Sequence, residues 1–135
     1  MHLYKNMAVL LLVSTAVNTD TTGDAYRIET SSEDGIYDHD QDYQFYFNAT
    51  QSGGASSPTS QVKIQTSPDG ESWMDTVEST ELTADGSKVE TKSTTTLPLM
   101  KYVRAVTTLG GGTKPHHAVE VRILSTAPFR ARKSS

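Results

Sequence analysis

Short segments in which apolar and polar residues alternate recur along this sequence, and turn-forming residues separate them. No window shows the 3.6-residue periodicity of an amphipathic helix, whereas strict alternation is typical of half-buried β-strands. The clearest case is the hairpin predicted at residues 62–77, where Val62 and Ile64 alternate with polar residues before a Ser-Pro-Asp-Gly turn. The predicted strands are residues 8–17, 25–29, 43–47, 62–66, 72–77, 88–90, 102–106 and 118–123.

About eight short strands without helices between them predict an all-β antiparallel sandwich or jelly roll, because a parallel βαβ arrangement needs crossover helices. A chain of 135 residues corresponds to one ordinary domain. We expect residues 1–128 to form a single β-sandwich domain, with residues 1–23 contributing an arm and the first strand. Residues 129–135 are predicted to form a basic C-terminal tail.

The absence of cysteine excludes disulfides, thiolate nucleophiles and cysteine-based zinc sites, and it argues mildly against secretion. The formal net charge of −4 gives no overall attraction to nucleic acids or to anionic membranes. We therefore predict neither nucleic acid nor membrane as a partner.

The N-terminus contains an apolar run at residues 7–13, preceded by Lys5 and followed by small residues up to Ala16. This pattern resembles a secretory signal peptide, but a run of this length also matches a buried strand or an N-terminal arm. The strand or arm is the favoured interpretation. The run is too short to span a bilayer, which takes about 20 residues.

An acidic loop carries Asp38, Asp40 and Asp42 at the D-x-D-x-D spacing of a calcium loop. An EF-hand that began at Asp38 would need glycine and glutamate where the chain has Tyr43 and Ala49, so this motif fails. A solvated acidic loop is the favoured interpretation, and a weak surface calcium site is the alternative.

No other group of residues predicts catalysis. His116 and His117 are adjacent, so on a strand they would point to opposite faces and could not chelate one metal together. The chain has neither a G-x-S-x-G elbow nor a phosphate-binding glycine loop, and its carboxylates crowd into loops. We predict no enzyme activity, no cofactor and no metal. Trp73 is predicted to be a core residue, while Tyr26 and Tyr37 are better candidates for exposed aromatic residues.

The basic tail has two interpretations. Terminal segments rich in arginine are usually solvated. In an assembly, the tail could instead lie across an acidic patch of a neighbour, such as residues 33–42 of another copy.

Residues 62–73 resemble the "V-x-I-q-x-S-x-D-G-x-x-W" hairpin of small β-sandwich virion proteins from tailed bacteriophages. A Thr-Ala-Asp-Gly turn follows at residues 83–86, and residues 99–105 are similar to the "Y-V-R-A" strand of the same proteins. Residues 10–23 fit their opening strand, and the matches together cover most of residues 8–123.

This resemblance implies a non-enzymatic capsid decoration (cement) protein on the outer shell of a phage head, assembled in the host cytoplasm. The implied partners are the major capsid protein, further copies of the chain in a dimer or trimer, or both. The alternatives are a tail, connector or fibre component of the virion and a carbohydrate-binding β-sandwich module. The residues predicted to contact partners are Leu10, Leu11 and Leu12 in the arm, Asp38 and Asp40 in the acidic loop, and Arg130, Arg132 and Lys133 in the tail.

Overall fold

The computed structural model describes residues 5–30, 43–54, 56–93 and 99–133. These segments form two antiparallel sheets of four and six strands, which confirms the predicted all-β sandwich. The strands are β1 (Lys5–Val17), β2 (Thr21–Thr22), β3 (Tyr26–Thr30), β4 (Tyr43–Ser52), β5 (Thr59–Ser67), β6 (Met74–Glu78), β7 (Gly86–Ser93), β8 (Tyr102–Gly110) and β9 (His116–Lys133).

The last strand, β9, belongs to both sheets. Its residues 116–125 pair with β4, and β1 pairs with the other edge of the same part, giving a four-stranded sheet in the order β7-β4-β9-β1. Its residues 129–133 pair with β3 in a second sheet, whose order is β6-β5-β8-β3-β9 with β2 beside β8. A strand that crosses between sheets in this way fixes their relative position.

The core lies between the two sheets and follows the alternation of the sequence. On β4 and β5, buried residues alternate with less buried ones, and most of the inward positions hold aromatic and β-branched side chains. Each predicted strand overlaps a strand of the structure, and the hairpin predicted at residues 62–77 is the β5–β6 pair. The short strand β2 was not predicted, because it lies in a polar run. Central buried residues are Phe45, Phe47, Ile64, Val103, Ala105, Val121 and Ile123.

The turn that follows β5 is held by two side chains, as its composition predicts. Ser67 Oγ donates to Asp69 Oδ1 at 2.8 Å and accepts the Gly70 N–H at 2.9 Å. Asp69 Oδ1 also accepts the N–H groups of Glu71 and Ser72, at 2.8 and 2.9 Å. Gly70 has a φ of 81°, a conformation that a residue with a Cβ rarely adopts.

The prediction of a basic tail at residues 129–135 is wrong for residues 129–133, which form the end of β9. Phe129 is 1% exposed and Ala131 packs against the core, so the alternation of this segment is that of a strand. The edge of β3 supplies the hydrogen-bonding partners that a free tail would take from water. The sandwich therefore extends beyond residue 128, as far as Lys133.

The apolar N-terminal segment is part of the sandwich from Lys5 onward, since β1 pairs with β9 over most of its length. This agrees with the strand interpretation of residues 8–17. None of the described segments contains a helix with the length and hydropathy needed to cross a membrane.

Candidate functional site

One outer edge of the four-stranded sheet is formed by β1, which has β9 as its single strand partner among the described residues. Residues 6–17 of this strand include no charged side chain. The opposite edge, β7, carries Lys88, Glu90 and Lys92. Charged residues, and lysine above all, prevent an edge strand from pairing with another chain. After Lys5, the edge of β1 therefore lacks a protection that β7 has.

A β-bulge determines which side chains β1 exposes. Val9 lies opposite Arg122 and Leu11 opposite Val121, so Leu10 is an extra residue in the ladder. As a result Leu10 and Leu11 are both buried, at 2% and 9% exposure, and Leu12 is 61% exposed. The prediction that all three leucines contact a partner is wrong for the first two, because they fill the core.

Met7, Val9 and Leu12 form an exposed apolar row, which we call the β1 row. Their partners on β9 are Leu124, Arg122 and Glu120, which are alternate residues and so share one face of the sheet. Met7 and Val9 are 44% and 39% exposed. Single exposed apolar residues are common, but three in a row on an open edge strand are a candidate contact surface.

Residues of this row line two shallow grooves. One lies between Met7–Val9 and the part of β9 around Phe129. The other lies between Val9 and the segment from Thr22 to Tyr26. The β1 row thus contributes to two depressions, which a partner chain could enter.

The three predicted tail residues lie on β9, where Arg130 and Arg132 share one face and Lys133 lies on the other. Arg130 is opposite Glu29 of β3, and its Nε donates to Glu29 Oε1 at 2.8 Å while its Nη2 reaches the same oxygen. Arg27 and Arg132 lie 3.7 and 4.0 Å from Glu29 Oε2. We call these four residues the arginine cluster. Lys133 instead pairs with Asp24 at 3.2 Å.

The Glu29 carboxylate of the arginine cluster is ionised although it is only 6% exposed. Burial raises the pKa of Glu29. The hydrogen bond and charge of Arg130 and the charges of Arg27 and Arg132 lower it by more, so the net shift is downward. Sequence reasoning missed Glu29 because its three cationic partners come together only when β9 pairs with β3.

Trp73 is half-buried just before β6, so the prediction that it belongs to the core is wrong. The Arg104 guanidinium lies 4.2 Å from the centroid of its ring, and Arg104 Nε donates to Gln65 Oε1 at 2.8 Å. Burial lowers the pKa of Arg104. The indole thus covers a cation on the outer face of the six-stranded sheet.

The buried side chain of His117 lies on β9, in the part of this strand that pairs with β4. As predicted for adjacent residues, His116 is exposed while His117 is 2% exposed. His117 is opposite Gln51, whose Oε1 accepts a hydrogen bond from Ser60 Oγ at 2.6 Å. Burial lowers the pKa of His117, and the backbone of Val17 and the charge of Asp20 oppose this shift only in part.

Asp38, Asp40 and Tyr37 lie outside the described residues, so the acidic loop and its calcium alternative stay predictions. Within the described segments, no three His, Asp or Glu side chains are grouped closely enough to hold a metal ion.

Comparison of the chain with protein-family models, with curated protein sequences and with solved structures gave no match.

Proposed function

We propose that this protein is a non-enzymatic structural component of a virion, a capsid decoration protein that docks on the outer shell of a tailed phage head through the edge of β1. The observation that carries this proposal is the open edge of β1, which is uncharged over residues 6–17, with the exposed β1 row beside it. The motifs at residues 62–73, 83–86 and 99–105, which resemble phage virion proteins, support it independently.

The docking step is the addition of an extended segment of the shell protein to β1. An added strand would satisfy backbone groups along the edge, and its side chains would reach the β1 row and the grooves beside it. The bulge at Leu10 bends the strand and interrupts the edge at that point. Each contact would be small, and the repeated lattice of a shell would supply avidity.

The copy number of this chain per purified particle tests the proposal, measured by quantitative mass spectrometry against the major shell protein. We expect a number comparable to that of the shell protein. A few copies per particle would favour a tail, connector or fibre component instead. Absence from particles would overturn the virion assignment.

The docking surface is tested by Leu12→Lys, which places a charge in the β1 row. We expect this variant to bind undecorated shells about tenfold more weakly, a loss of about 1.4 kcal/mol. The matched control is Val89→Lys, because Val89 is 60% exposed on the opposite edge strand. Equal binding by both variants would exclude the β1 edge as the docking surface.

A carbohydrate-binding module is the second candidate, favoured by Trp73 lying outside the core and by Tyr26 lining a groove beside β1. Aromatic side chains at a surface can stack on sugar rings. Glycan-array binding that is lost in Trp73→Ala, with unchanged thermal stability, would favour this function over the first.

A further inference from the structure

The outer face of the six-stranded sheet has an excess of positive charge where β9 joins β3. Arg27 and Arg132 are direct cross-strand partners, and Glu29 and Arg130 form the next such pair. All four side chains of the arginine cluster therefore lie on one face, since each pair is two residues along from the other. The cluster holds three guanidinium groups and one carboxylate.

The carboxylate is already engaged by one of these arginines. Arg130, 18% exposed in its side chain, bonds Glu29 Oε1 through two nitrogens, and so neutralises most of the buried charge. Arg27 and Arg132 approach only the second oxygen, at 3.7 and 4.0 Å. Throughout the described part of the chain, Glu29 is the single carboxylate within 4.0 Å of either of them. Among the residues that the structure describes, about two positive charges of the cluster are thus left without a counter-charge.

Like charges directly opposite each other across a β-ladder destabilise it. Arg27 and Arg132 nevertheless occupy such a position, with side chains 40% and 61% exposed. Glu29 beneath them draws both guanidinium groups towards one point, while their exposed N–H groups remain accessible to solvent. Guanidinium groups match the geometry of phosphate and sulfate oxygens and bind them through paired hydrogen bonds.

A fourth arginine extends the face. Tyr102 of β8 pairs with Arg27, and Arg104 lies two residues farther along the same strand, on the same side. Its contacts are the neutral Gln65 amide and the Trp73 ring, so it too has no carboxylate partner among the described residues. The positive field of the arginine cluster therefore continues across β3 to β8.

We propose that Arg27 and Arg132 form a binding site for a tetrahedral oxyanion, a phosphate or sulfate group, with Arg130 and Glu29 as positioning residues. The shared chemistry admits two sources, a free inorganic anion and a sulfated sugar. Arg130 also lines the groove beside Met7 and Val9, whereas Arg27 and Arg132 are not among the residues of that groove. The site does not depend on the docking proposed above.

The test is a titration of the full chain with inorganic pyrophosphate, followed by NMR of the arginine Nε–Hε signals at constant ionic strength. We expect saturable shifts at Arg27 and Arg132. In Arg132→Gln the apparent affinity should fall at least about fivefold, which is about 1 kcal/mol. Arg130 still pairs with Glu29 in this variant, so the fold should be retained, and a circular dichroism melt checks that.

Lys133→Gln is the matched control, because it removes the same charge from the next residue, whose side chain is 65% exposed and pairs with Asp24. Unchanged binding in this control together with weaker binding in Arg132→Gln would support the site. An equal loss in both variants, or shifts that do not saturate, would overturn it.

A second titration distinguishes the sources of the anion. A sulfated disaccharide that binds more tightly than pyrophosphate, while its unsulfated form does not bind, would assign the site to a sulfated glycan. Tighter binding of pyrophosphate would assign it to a free anion. Binding of neither would overturn the proposal.

Discussion

Arg130 of β9 and Glu29 of β3 face each other across the ladder, and two nitrogens of the guanidinium group donate to one carboxylate oxygen. This ion pair joins the end of the chain to the six-stranded sheet. Both partners are largely shielded from water, at 18% and 8% exposure of their side chains. A pair of this kind is costly to break from one side, because the remaining charge stays buried.

Glu29→Gln should therefore lower the free energy of unfolding by about 2 kcal/mol, as measured by urea denaturation at about pH 7. The control is Glu120→Gln, which removes a carboxylate from a more exposed pair with Arg122. We expect that control to cost less than about 1 kcal/mol. Equal losses would mean that the arginine cluster contributes no more than a surface ion pair.

Phe129→Ala should destabilise the protein by about 3–5 kcal/mol, because it leaves a cavity in the core. Phe129 is 1% exposed, and its ring meets that of Tyr43 edge-on with centroids 5.8 Å apart. Arg132→Ala, at an exposed position of the same strand, should change stability by less than about 1 kcal/mol. An unchanged thermal midpoint for Phe129→Ala would restore the interpretation of a free tail.

Leu10→Ala should cost about 2–5 kcal/mol, whereas Leu12→Ala should cost less than about 0.5 kcal/mol. The reason is the bulge, which buries Leu10 and exposes Leu12. In a strand without a bulge the two residues would share one face and similar burial. Similar losses in urea denaturation would therefore contradict the bulge.

Asp69→Asn should weaken the turn between β5 and β6 and so lower the free energy of unfolding at about pH 5. The difference in stability between this variant and the unsubstituted chain should shrink as the pH falls. Hydrogen bonds from the backbone of Ser72 and Glu71 and from Ser67 lower the pKa of Asp69 from 3.8 to about 2. The ionised Asp69 carboxylate thus stabilises the folded state above pH 3.8, and this contribution is lost as the pH falls from 3.8 to about 2. NMR of the Asp69 carboxyl carbon measures the midpoint directly, and a midpoint near 3.8 would contradict these bonds.

His117 should make the protein less stable in mild acid. Burial lowers its folded-state pKa below the ordinary 6.5, so the unfolded chain takes up the proton first. The stability that neutral His117 contributes should be fully present above pH 6.5. It should fall as the pH drops below 6.5, until the folded-state pKa is passed. Thermal melts between about pH 7.5 and 5 measure this loss. It should vanish in His117→Gln and persist in His116→Gln, whose side chain is exposed.

Local sequence determined the strands and the face that most of them bury. In β5 and β8, one side chain in two points inward, so the spacing of Val62 and Ile64, or of Val103 and Ala105, was enough to assign them to the core. The turn after β5 was also predictable, since Ser67, Asp69 and Gly70 make their contacts with each other or with close neighbours.

Tertiary structure decided the features on which the two proposals depend. The bulge at Leu10 exists because β1 is fitted to β9, which is more than 100 residues away in the chain. Arg130 and Arg132 are strand residues rather than tail residues because the edge of β3 is available beside them. Alternation within a segment gives its period, but not which edge lies beside it or where an extra residue enters the ladder. Those depend on contacts between distant parts of the chain, and only the folded molecule contains them.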